Sequence, residues 1–161
     1  KYFNKALDVF GYKDVPFKFK WVGYIDDKGQ EANTGKDALN KAVEFLRGRN
    51  LQFKNVCLFD CDTKRQESEK NNIYTRVLSK YSNSKGMNVG IENALVLDGV
   101  DTTNFYSRKE KEGDYGNTTI ITEFKKMEFC DYICSLDEDL LKVILGHLKT
   151  VIDSLFDIYK A

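Results

Sequence analysis

Two aspartates one residue apart, Asp60 and Asp62, follow directly on a short apolar run, residues 55–59 (Asn-Val-Cys-Leu-Phe). A D-x-D at the end of a strand directs two carboxylates toward one spot, and hard divalent cations take such oxygen ligands. Mg²⁺ in particular uses one or two carboxylates and keeps waters for a phosphate to displace. The same pair also reads as two solvated loop aspartates. A third acid, Glu92, ends a second brief apolar segment after Gly90, a residue that permits close backbone approach. Taken alone it reads equally as a helix cap or a surface charge.

Other chemistry is poorly served. His147, the single histidine, falls within a long apolar helical stripe, so a Ser-His-Asp or Cys-His hydrolase would have to depend on that residue. Cys57, Cys61, Cys130 and Cys134 form two C-x-x-x-C pairs, but one pair begins in a strand and the other lies on a helix. Structural zinc prefers turns and knuckles, so reduced, buried thiols of a cytoplasmic protein are expected. Neither G-x-x-x-x-G-K-[ST] nor G-x-G-x-x-G occurs, which leaves a nucleotide-binding loop unsupported.

The elements that must position these acids follow from periodicity. Residues 2–11 carry Tyr2, Phe3, Ala6, Leu7 and Phe10 at helical spacing and stop at Gly11. Residues 17–24 alternate aromatic and basic side chains with the period of a strand. Phe17, Phe19 and Trp21 with Lys18 and Lys20 also have the make-up of a nucleic-acid contact, although a half-buried strand explains them without a partner. Residues 36–46 return to helical spacing, 55–60 read as a strand covered on both faces, 73–78 as another strand, and 87–92 as a brief apolar segment followed by a helical turn at 93–97. Residues 105–109 and 118–121 flank the glycines at 113–116 as a hairpin. Residues 123–134 read as a helix. Ser135 and Glu138 have the form of a capping box, opening one long helix to about residue 160.

The 161 residues are 42% hydrophobic and 31% charged, the size and make-up of a single domain over 1–161. The formal net charge is zero, which excludes a polybasic tail or an acidic solvating chain as the main business of the molecule. It divides into 11 basic against 7 acidic residues up to Val56 and 14 against 18 from Cys57 on, so the acidic excess lies in the half that carries the acids. No apolar run reaches the roughly 20 residues of a membrane span, and a soluble protein without a membrane partner is expected. Position 1 is Lys, and the helical pattern starts almost at once, as in a piece of a longer polypeptide.

The order helix, strand, helix, strand ending in Asp60-x-Asp62, strand, Gly90-Ile-Glu92, hairpin and Lys125-Lys126 resembles the Toprim-like nuclease domain of the OLD (overcoming lysogenization defect) proteins and related bacterial defence ATPases. The resemblance covers most of the chain and is specific in its acidic motifs. It implies an α/β fold: a Toprim-like, largely parallel central sheet with flanking helices, an inserted hairpin and a long C-terminal helix. It further implies a Mg²⁺- or Mn²⁺-dependent endonuclease that cleaves DNA or another nucleic acid in phage defence. Asp60 and Asp62 match the family's D-x-D and Glu92 its later acid, all three as metal ligands, and Lys125 or Lys126 matches a downstream lysine. An ATPase domain in the same polypeptide is implied as a partner. The family's upstream Glu, on a strand before the first helix, would lie ahead of Lys1, and Gly90 stands where related nucleases often have Ser. A non-catalytic Toprim-like domain for nucleic-acid binding or assembly is the alternative.

Overall fold

The structure, a computed structural model, describes residues 1–81, 90–112 and 118–160. Helix α1, Tyr2–Val9, buries Tyr2 and Ala6, one turn apart on one face. It stops where Gly11 turns to φ +68° and the Tyr12 N–H donates to the Leu7 carbonyl at 2.9 Å.

The next segment departs from expectation. Residues 17–22 form no strand ladder; only Tyr24–Ile25 (β1) pairs, antiparallel with Glu31–Ala32 (β2), across a turn in which the Asp26 carboxylate accepts from the Lys28 and Gln30 N–H groups. The alternation nevertheless has a physical source. Phe17 and Phe19 are half-buried against the helices, with Phe19 stacked on Phe3 at 4.4 Å and Phe17 edge-on to Phe156 at 5.2 Å, while Lys18 and Lys20 are exposed. The period of two records a chain lying on an aromatic surface rather than one hydrogen-bonded into a sheet.

Helix α2, Gly35–Arg47, covers a sheet formed by Asn55–Phe59 (β3), Ser68–Lys70 (β4) and Ile73–Val77 (β5), in the order β3-β5-β4. Val43 of α2 packs with Cys57, Phe59 and Ile73 into one buried cluster. The β3–β5 pair is parallel and every other strand pair among the described residues is antiparallel. The fold is thus mixed α/β, with one parallel pair where a largely parallel sheet is expected. Asn55 lies opposite Ile73 and its N–H donates to the Asn72 carbonyl, so the main-chain groups of Asn55, Cys57 and Phe59 face β5. Those of Val56 and Leu58 face away, along an open edge.

Tyr106–Glu112 (β6) and Thr118–Phe124 (β7) form the expected hairpin; its glycine turn lies outside the described residues, as do residues 87–89 of the brief apolar segment. Residues 91–94 form a 3₁₀ turn, a little ahead of the helical turn expected at 93–97.

Helix α3 runs Lys126–Ser135 rather than from residue 123, because Glu123 and Phe124 are committed to β7. The cap of the next helix is Asp137, whose carboxylate accepts from the Leu140 N–H at 3.0 Å; the Ser135 hydroxyl instead donates to the Tyr132 carbonyl. The expected single C-terminal helix is two, Glu138–Ile144 (α4) and Gly146–Lys160 (α5), broken at Leu145. Leu145 is fully buried, so the apolar stripe runs through the break undisturbed.

Helices α1, α3, α4 and α5 enclose the larger core around Leu95, Phe129, Ile133, Leu145, Leu148 and Ile152. Burying such side chains is worth about 1.5–3 kcal/mol each. The end of α5 is tied to the start of β3: Lys54 Nζ donates to the Ile158 carbonyl at 2.7 Å and the Tyr159 hydroxyl to the Lys54 carbonyl at 2.9 Å. Among the described residues no helix is long and apolar enough to cross a membrane.

Candidate functional site

Strand β3 delivers its acids at the end of the parallel pair, the place where open α/β sheets present ligands. Phe59 is buried at 1% exposure and fixes the strand end, and Asp60 leaves it in extended conformation to open a 3₁₀ turn, Cys61–Thr63. The Thr63 N–H and Oγ1 both donate to the Asp60 carbonyl, at 3.2 and 2.8 Å, closing that turn. Asp60 and Asp62 therefore ride on one braced loop.

The second turn, Ile91–Ala94, packs against the first. It is entered through Gly90 at φ 88°, ψ −173°, a region that only glycine occupies without strain. That geometry accounts for glycine rather than serine here. A Cβ at Gly90 would lie 2.7 Å from Glu92 Oε2 and 2.8 Å from Lys126 Nζ, so both charged ends reach over the glycine. Glu92 is only 3% exposed and its Oε2 has no hydrogen-bond partner.

Electrostatics joins the four groups. Burial pushes the Glu92 carboxyl above the usual carboxylate range; a hydrogen bond from its own backbone N–H and then Lys126 oppose the shift, and Asp60 adds to it. The Asp60 carboxyl is raised first by burial and then by the negative charge of Asp62, again opposed by Lys126. Lys126 is the common counter-charge. It stands at the first position of α3, where the helix dipole disfavours a cation. Lys125 is turned elsewhere and pairs with Glu128 at 3.1 Å.

Of the five residues singled out in the sequence, Asp60, Glu92 and Lys126 act on one another, the exposed Asp62 reaches the group only through its charge on Asp60, and Lys125 pairs with Glu128 instead. Among the described residues, no three His, Cys, Asp or Glu side chains come close enough together to make a ready-formed metal cage. The donor chemistry nevertheless fits a hard divalent cation: carboxylate oxygens, one of them buried without a partner, over a glycine whose missing side chain leaves the space that Glu92 and Lys126 occupy. His147 is half-exposed on α5, with Nε2 3.2 Å from the Ser79 carbonyl oxygen, bracing the chain after β5. The four thiols are free, with Cys57 and Cys130 buried. Burial pushes the Cys134 thiol up to about 11, with Cys130 adding to the shift.

Sequence reading overlooked the surroundings of the acids. A groove of about 510 Å³ runs between the 17–22 segment, the start of α2, the open edge of β3 and the end of α5, and reaches Asp60. A smaller notch of about 200 Å³ adjoins it, lined by Lys36, Asn40, Phe59, Thr63, Lys64 and Arg65. The only local signal was Lys64-Arg65 directly after the D-x-D turn. No family model matches the chain, and no curated protein or solved structure matches it either.

Proposed function

We propose that this chain is a divalent-metal-dependent phosphodiesterase module acting on DNA or another nucleic acid, a Toprim-like nuclease of the OLD kind. Its carrying observation is the buried, unpartnered Glu92 Oε2, whose carboxyl shares the influence of Lys126 with Asp60 at the end of β3. Asp60, Asp62 and Glu92 would hold Mg²⁺ or Mn²⁺, which supplies Lewis-acid polarisation of a phosphodiester and a nucleophilic water at neutral pH.

The side chains divide the remaining work. Glu92 and Asp60, with carboxyls held above their usual range, would bind a cation in competition with protons, so occupancy would strengthen as pH rises. Lys126 is the local positive charge that opposes the carboxyl shifts of Asp60 and Glu92, and it would be available to a phosphate oxygen if a cation neutralised them. In the full proposal the module works in the cytoplasm beside an ATPase domain of a longer polypeptide, in defence against phage.

The open cage favours a second reading, a non-catalytic Toprim-like domain for nucleic-acid binding or assembly in which Lys126 permanently replaces the metal. A plasmid-nicking assay separates them. Cleavage that needs Mg²⁺ or Mn²⁺ and is lost in Asp60→Asn supports the phosphodiesterase; retained DNA binding without cleavage under any cation supports the alternative.

A further inference from the structure

Lys36, Lys64 and Arg65 are separated by up to 29 positions in sequence, yet all three line the notch beside the acid loop. None has an acidic partner within ion-pair distance among the described residues. Three cations without an ion-pair partner around one concavity favour a bound anion.

The notch also holds one of these charges, that of Arg65, in place. The Arg65 guanidinium lies over the ring of the buried Phe59, 4.9 Å from its centroid, and donates to Asn40 Oδ1. Its remaining donors are left to meet an oxyanion in the planar fork that suits phosphate. Lys64 is held at φ +51°, the left-handed region that a lysine rarely adopts. Lys36 sits in the first turn of α2, whose N-cap residue Thr34 makes no side-chain capping bond. The α2 N-terminus therefore adds unsatisfied N–H groups to the same region.

Continuity with the groove indicates the kind of anion. Lys36, Phe59 and Thr63 line both cavities, and the groove runs from the notch past Asp60 along the 17–22 segment. That segment carries exposed Lys18 and Lys20 and offers Trp21, 55% exposed, as a stacking surface. Repeating negative charges with flat bases between them fit such a path, as in a single nucleic-acid strand.

We infer that the Lys36–Lys64–Arg65 notch is a phosphate subsite that seats the backbone of a single nucleic-acid strand next to the acidic centre. For its place beside a reacting bond this rests on the phosphodiesterase reading; its binding does not.

The test is fluorescence anisotropy with labelled dT20 in EDTA, from about 20 to 200 mM salt. The variants are the triple Lys36→Gln/Lys64→Gln/Arg65→Gln and a charge-matched control, Lys13→Gln/Lys28→Gln/Lys41→Gln, at exposed positions that line neither cavity. Each phosphate contact on a single strand contributes about 0.7 to the slope of log K against log salt. The notch triple is expected to lose about 10-fold in affinity at 100 mM salt and about 2 in slope, the control far less. An equal loss in both triples, an unchanged slope in the notch triple, or tighter binding of a 20-base-pair duplex than of dT20 would overturn the subsite.

If the triple fails to fold, Lys64→Gly removes one cation at a backbone position that glycine prefers, and a slope lower by about 0.7 is expected. Binding is read without metal. If no cation supports cleavage while the slope still falls in the notch variants, the phosphodiesterase reading fails and the subsite stands.

Discussion

Glu92→Gln makes the protein more stable when metal is absent and less responsive to metal. Glu92 is 3% exposed and its Oε2 makes no hydrogen bond, so when ionised it is a buried charge held only by its own backbone N–H and the more distant Lys126. Leaving a buried polar atom unsatisfied costs about 1–3 kcal/mol, more when it is charged. Lys126 offsets part of this, and the glutamine amide is itself imperfectly satisfied, so a gain of about 1–2 kcal/mol is expected. At about 2–4 °C per kcal/mol for a domain of this size, Tm rises by about 2–8 °C.

The pH dependence has a definite sign. The folded-state pKa lies above the ordinary 4.5, so the folded state binds the proton more tightly than the unfolded chain. Below about pH 4.5 both states are protonated and the two proteins differ little. As pH rises through the folded-state value, the wild type loses stability relative to the variant, and the full difference is present above it. Thermal unfolding followed by circular dichroism in EDTA, between pH 5 and 8, measures this. Added Mn²⁺ stabilises the wild type by mass action and the variant much less, narrowing or reversing the order. A variant less stable than wild type at pH 7.5 in EDTA would show that the carboxylate is already satisfied, refuting the reasoning.

Three further outcomes follow from the same geometry. Lys126→Gln raises the Glu92 and Asp60 carboxyl pKa values further, because Lys126 lowers both, whereas Lys125→Gln leaves them in place; carboxyl ¹³C titration by NMR distinguishes the two lysines. Gly90→Ala destabilises by about 1–3 kcal/mol, since alanine is strained at φ 88°, ψ −173°, and it also separates Glu92 from Lys126; urea unfolding reads the first effect and Mn²⁺ titration the second. Mn²⁺ affinity rises with pH through the range in which Asp60 and Glu92 ionise, and calorimetry in buffers of different ionisation enthalpy detects the protons released.

Periodicity and turn residues disclosed the local elements. Helix α2, strands β3 and β5 and the hairpin all lie close to where the spacing of apolar residues puts them. The 17–24 segment shows the limit, because alternation reports that one side is covered and not by what. Phe17 and Phe19 settle on helix-borne rings instead of a neighbouring strand. The break at Leu145 was hidden for a similar reason: its side chain stays in the core, so the apolar stripe continues across two helices.

In the site, Asp60 and Asp62 were legible because their apolar strand precedes them directly. The choice between Lys125 and Lys126 was not, since adjacent residues differ by about 100° around a helix and only the end of β7 sets that phase. Lys36, Lys64 and Arg65 were illegible as a group because the fold alone brings α2 beside the acid turn.

The central claim is that Asp60, Asp62 and Glu92 form one cation site, and electron paramagnetic resonance titration with Mn²⁺ tests it most directly. The free-ion signal is expected to fall on adding wild-type protein, and to fall much less with Asp60→Asn or with Glu92→Gln, although the two residues lie on different turns. Undiminished Mn²⁺ binding in both variants would contradict it.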